Sequence, residues 1–274
     1  MFRPLVVAGA LLFSSMATVA QESGFIDRWL SMVTKTQAEQ PHWVTPLVTV
    51  TPRLEQEFRY DVLRQTTATG HTLWNFGNGK GLELIPQRSV EVIFNLPPYL
   101  MHNDPLAHDG FGDTTFLLKY RLLAANEEHG SYIVTLFLSG SVPTGSYRNG
   151  STSAVVTPTI SAGKSWGKFI VQTTLGAGLP VDETDRIGHA IAWNTAFQYH
   201  ARRFLWPELE VNSTFWKGGS LDGKKQVFLT PGLVAGRIPI HNRVGLTMGV
   251  GMQIAATHFH NFDHNLVITA RIPF

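Results

Sequence analysis

The chain has 274 residues, no cysteine, 22 Lys and Arg against 20 Asp and Glu, and a formal net charge of +2. Without cysteine there is no disulfide framework, thiolate metal site or cysteine nucleophile, and the near-neutral balance offers no basic footprint for nucleic acid. A mean hydropathy of +0.00 with no apolar run near the ~20 residues of a spanning helix argues against both an aqueous globule and a helical membrane protein, and fits a transmembrane barrel whose strands are each half apolar.

In chain order, Met1-Phe2-Arg3, the apolar run from Leu5 to Phe13 and the small residues Ala17-Thr18-Val19-Ala20 read as a secretory signal peptide over 1–20, which is set aside for the fold. Roughly 250 residues remain, within the range of one β domain. Segment 21–50 is expected on the periplasmic side. Phe25, Ile26, Trp29, Leu30 and Val33 share a helical face there, and Pro41 and Pro46 separate it from the first strand. A short helix at or in the barrel mouth is expected, as a possible plug.

From 51 to 274 the sequence alternates apolar and polar residues in about twelve segments, each near the ten residues of a tilted spanning strand. In 54–62, Glu55, Glu57, Arg59 and Asp61 oppose Leu54, Gln56, Phe58, Tyr60 and Val62. In 113–123, Lys119 and Arg121 oppose Phe116, Leu118, Tyr120 and Leu122. The same separation recurs in 89–96, 131–142, 169–179, 191–200 and 208–215, with weaker segments at 81–85, 154–163 and 226–238. In 244–254 one face is Gly245, Thr247, Gly249, Gly251 and Gln253. The last strand alternates Leu266, Ile268, Ala270, Ile272 and the terminal Phe274 with polar partners, resembling the closing strand of outer-membrane barrels. These features predict an all-β fold: an antiparallel up-and-down transmembrane barrel in the outer membrane of a Gram-negative bacterium. Short links (86–88, 124–130, 164–167, 202–204, 239–242) alternate with longer ones (66–75, 97–112, 143–153, 180–188, 217–224, 257–264), as periplasmic turns and extracellular loops do.

Nearly every charge within the strands falls on one face. A Lys or Arg facing lipid at mid-bilayer costs roughly 2–4 kcal/mol, so that face is read as the lumen. Its charged residues are Glu55, Glu57, Arg59, Asp61, Glu83, Glu91, Lys119, Arg121, Glu208, Glu210 and Arg271. They read either as a salt-bridge network filling a narrow barrel or as a selectivity lining. Phe137, Trp206, Trp216 and Phe228 are expected on the same face. His258, His260 and His264 stand close in sequence near Asp263, a weak metal-ligand pattern that an ordinary polar loop explains as well. No cofactor is implied. Ser139, Ser141, Ser146 and Asn149 have no histidine at matching height on a neighbouring expected strand, so a hydrolase triad is not expected.

The segment Gly112-Asp113-Thr114-Thr115-Phe116-Leu117-Leu118-Lys119-Tyr120-Arg121 resembles a strand of the barrels assigned to the MetA pathway of phenol degradation. Val142-Pro143-Thr144-Gly145, a turn at Ala162-Gly163-Lys164, Gly176-x-Gly178 and Leu229-Thr230-Pro231-Gly232-Leu233 extend the resemblance over roughly 50–274. It implies an outer-membrane transporter for hydrophobic or aromatic compounds and carries no catalytic residues. The expected function is a channel for small hydrophobic or aromatic molecules. The alternatives are a closed barrel with ligand- or partner-binding extracellular loops and, third, a lipid-modifying enzyme. Expected partners are outer-membrane lipids, the barrel-assembly machinery through Phe274 and a small hydrophobic permeant.

Overall fold

Alternation of period two leaves each strand with one wet and one apolar face, and only closure of the sheet removes its edges in lipid. The computed structural model describes residues 24–274; the expected signal peptide lies outside the described residues. The strands are β1 (Glu57–Thr66), β2 (Thr72–Gly77), β3 (Gly81–Gln87), β4 (Val90–Asn95), β5 (Tyr99–His102), β6 (Gly110–Phe111), β7 (Thr114–Ala125), β8 (Tyr132–Val142), β9 (Val155–Trp166), β10 (Phe169–Pro180), β11 (His189–Tyr199), β12 (Leu205–Lys217), β13 (Lys225–His241), β14 (Val244–Ala255) and β15 (His264–Pro273). Each pairs antiparallel with its neighbour, and β15 closes on β1 from Glu57–Pro273 to Thr66–His264. Segments β2, β5 and β6 are the outward continuations of β3, β4 and β7, so the closed barrel has 12 strands.

The breaks in those three strands have local causes. Gly77, Asn78 and Gly79 all adopt left-handed backbone between β2 and β3. Pro97 and Pro98, which cannot donate to a ladder, separate β4 from β5. The expected long loops at 66–75 and 97–112 are therefore shorter, because parts of both are strand. Residues 162–164, expected as a turn, lie within β9, which turns at Gly167 instead. The 54–62 segment enters the sheet only at Glu57.

Leu118, Leu136, Leu175, Leu209, Val250 and Ile268 are among the large apolar side chains on the outer face, each more than two-fifths exposed. A continuous apolar surface of this kind marks contact with lipid. Tyr132, Trp166, Phe169 and Tyr199 are exposed close to the periplasmic turns, where interfacial aromatics belong. Among the described residues no helix is long and apolar enough to cross a membrane.

The helix α1 spans 24–38 at the barrel mouth that carries the short turns. Trp29 and Met32 pack with Val33, Leu54 and Ile85, and Trp29 Nε1 donates to the Ile85 carbonyl at 2.7 Å. Phe25 and Ile26 of its first turn are exposed, so the buried stripe is narrower than the expected apolar helical face. Gln40 locks the helix exit: its amide donates to the Leu54 carbonyl at 2.7 Å and accepts from the Leu54 N–H at 3.0 Å.

Candidate functional site

Between α1 and β1, residues 40–56 run through the barrel interior without joining the sheet. A segment with no ladder partners must satisfy its backbone groups some other way, and here the lumen charges do so. Carboxylates take the N–H groups. Glu210 accepts from Val48 at 2.8 Å and Thr49 at 2.6 Å, Glu208 from Leu47 at 3.0 Å, and Glu91 from Glu55 at 2.6 Å. Cations and amides take the carbonyls. Arg271 donates to Thr45 and Pro46 at 2.6 Å each, Arg59 to Leu47 at 2.7 Å, Lys119 to Arg53 at 3.1 Å and Gln172 to Val44 at 3.1 Å.

Several interior charges are also ion-paired, which offsets the cost of burial. The pairs are Arg59–Asp61 at 2.7 Å, Lys119–Glu91 at 2.9 Å, Arg53–Glu55 at 2.7 Å and, at the mouth, Arg121–Glu39 at 3.1 Å. Arg121 also donates to the Thr36 carbonyl. Glu57 and Glu83 are buried on the same inner face. All eleven charged residues expected in the lumen are thus interior, and seven of them (Arg59, Glu91, Lys119, Arg121, Glu208, Glu210 and Arg271) hold the backbone of residues 36–55 directly.

Apolar contacts complete the seat. Trp43, Val44 and Leu47 form one buried cluster with Leu63, Ile133, Ile170, Trp206, Val234 and Val267 of the wall. Leu47 fits a cup of three inward glycines: a Cβ on Gly232, Gly249 or Gly251 would stand 2.3, 2.6 or 2.5 Å from a Leu47 methyl. Residues beyond the charged set that sequence reasoning missed are Arg53, Gln172 and these glycines, whose small size signalled a close approach without naming what approaches.

The four expected aromatics divide. Phe137 is buried beside Lys119, whose Nζ lies 5.6 Å from its ring, and borders an open cavity. Trp206 belongs to the cluster around Leu47 and stacks on His200 at 3.9 Å. Phe228 stacks on Phe262 at 4.4 Å, and Trp216 meets Phe259 at 5.6 Å, so both hold the loop before β15. In that loop His260 bonds Asp263 at 2.8 Å. Among the described residues no three His, Cys, Asp or Glu gather as a metal site. His102 does reach Asn149 at 2.8 Å, contrary to expectation, because β5 extends the third strand outward; Ser146 Oγ is engaged with the Phe111 backbone instead.

The space left over is divided. In the half away from α1 lies an outer cavity of about 530 Å³, bordered by Val50, Asn75, Lys80, Asn95, Leu117 and Phe137 among others. A second cavity of about 410 Å³, on the α1 side, is bordered by Thr45, Arg53, Glu55, Glu57, Arg237 and Arg271. Between them is a void of about 30 Å³, sharing Lys80 and Asn95 with the first and Thr45 with the second. A single water needs roughly 10–15 Å³, so that void holds a water or two and no organic solute.

A closed 12-strand barrel with a lipid-facing apolar band and a charged interior defines a transmembrane barrel of the Gram-negative outer membrane. Among solved structures the fold is similar to an outer-membrane channel from Pseudomonas putida, with a TM-score of 0.61 at 13% identity, covering 85% of this chain and 100% of that one. It is also similar to the NanC porin, with a TM-score of 0.52 at 8% identity over 78% of this chain and 98% of that one. No protein-family model and no curated protein sequence matches the chain.

Proposed function

We propose that this protein is an outer-membrane channel of the MetA-like type for small hydrophobic or aromatic molecules, closed at rest by its own residues 40–56. The observation that carries this reading is the pair of solute-sized cavities on either side of that buried segment, with a void of only about 30 Å³ sharing lining residues with both. The outer cavity supports an apolar-bodied solute through Val50, Leu117, Phe137 and Val155. The similar P. putida protein is an outer-membrane channel, which agrees with passage.

The same occlusion favours a second reading, a binding barrel that never opens. Uptake separates the two. Intact Gram-negative cells carrying the barrel should take up the hydrophobic fluorophore N-phenyl-1-naphthylamine faster than cells without it, while exclusion of a large glycopeptide antibiotic stays unchanged. Equal uptake rates would leave only the binding barrel.

A further inference from the structure

Lys80 is the lumen cation that alternation misplaces. Gly81 and Glu83 face inward, so a regular strand would turn Lys80 toward lipid. Between the pairs Asp61–Gly77 and Glu57–Glu83 the second strand runs two residues longer than β1. Those extra residues sit in the left-handed run at Gly77, Asn78 and Gly79, with φ of 93°, 48° and 57°. The run delivers Lys80 into the lumen, where it borders both the 530 Å³ cavity and the small void beneath it. Consecutive left-handed residues, one of them not glycine, are costly and persist where the surroundings require them.

Once inside, Lys80 has work left over. Arg53, Arg59, Lys119 and Arg121 each have a carboxylate partner, and Arg271 holds two carbonyls. Among the described residues the Lys80 ammonium has no carboxylate within ion-pair distance and no hydrogen bond, although its backbone bonds to Gly77 and Leu96. The carboxylates around it are engaged or shared. Asp61 is held by Arg59. Asp113, which also borders the outer cavity, accepts from the N–H groups of Thr144, Gly145 and Ser151 and from the Ser151 hydroxyl. Glu83 shares the small void with Arg59 and Lys119 as well as Lys80. Beside Lys80, Asn95 donates to Thr115 at 2.9 Å while its Oδ1 is buried without a partner. The same cavity is bordered by the apolar side chains of Val50, Leu117, Phe137 and Val155, interspersed with hydroxyls such as those of Ser139 and Thr157.

We propose that Lys80 and Asn95 form a binding site in the outer cavity for small amphipathic organic anions, with a carboxylate on an apolar body. Lys80 takes the carboxylate in a charge-assisted hydrogen bond, and Val50, Leu117, Phe137 and Val155 take the body. Asn95 Oδ1 accepts from any hydroxyl the solute carries. This deepens the channel reading by naming a solute class, and it rests on that reading only for the site's place on a transport path.

The test is binding of 4-fluorobenzoate to the full-length protein in neutral detergent, followed by fluorine NMR against empty micelles, with 4-fluorobenzyl alcohol as the uncharged counterpart. Saturable fluorobenzoate binding is expected, weakened roughly tenfold or more in Lys80→Gln, retained in Lys80→Arg and strengthened in Glu83→Gln. Binding of the alcohol should not respond to Lys80→Gln. Absence of saturable fluorobenzoate binding by the wild type, or equal affinity in Lys80→Gln, would overturn the site. If Lys80→Gln does not fold, Glu83→Gln decides, and an affinity no higher than wild type overturns it. Binding without any solute uptake in cells would sink the channel reading and leave this site standing; uptake without saturable binding would do the reverse.

Discussion

Replacing Glu210 by Ala is expected to turn a closed barrel into one that conducts. Its carboxylate holds the N–H groups of Val48 and Thr49 at 2.8 and 2.6 Å, and hydrogen bonds to charged groups contribute about 1.5–3 kcal/mol each. Relief of repulsion with the neighbouring Glu208 offsets part of the loss, so a net shift of about 3 kcal/mol is a reasonable central figure, roughly a hundredfold in the closed–open equilibrium. Glu210→Gln keeps an acceptor oxygen and should fall between. Single-channel open probability in planar bilayers reads the effect; an unchanged open probability in Glu210→Ala would show that the segment is not held by this residue.

Gly251→Val is expected to unseat Leu47 without unfolding the barrel. The new Cβ would lie 2.5 Å from the Leu47 methyl and 3.0 Å from the Pro231 carbonyl, and the Leu47 side chain is buried with nowhere to retreat. Overpacking and loss of a buried leucine each cost about 2–4 kcal/mol, which falls on the docking of residues 40–56 because the β13–β14 ladder is held by its own pairs. Hydrogen exchange at the Leu47, Val48 and Thr49 amides should accelerate at least about a hundredfold, while amides within β14 stay protected. Unaltered exchange at those three would mean that the glycine cup does not secure the segment.

Strand faces, the closing strand and the even strand count were legible because lipid imposes a strict period of two, and a misplaced charge is costly enough to keep the pattern clean. What fills the lumen was not legible. Gly232, Gly249 and Gly251 could be read as inward and small, but alternation reports which face a residue is on, never what lies opposite. The lumen charges were found for the same reason, and their partners were not: Glu210 and Arg271 bind backbone groups of residues 45–49, and backbone groups leave no mark in sequence. Lys80 was missed because it lies just before the expected 81–85 segment, in a left-handed run that interrupts the alternation. The Gly77-Asn78-Gly79 run was the available signal, since Asn-Gly marks a departure from regular strand.

The central claim is that residues 40–56 close the lumen. Planar-bilayer conductance of the mature protein, with and without residues 24–50, tests it most directly. The account predicts closed or brief, small steps from the intact chain and large, stable steps from the truncated one. Large stable steps from the intact chain, or silence from a truncated barrel that is shown to be folded, would contradict it.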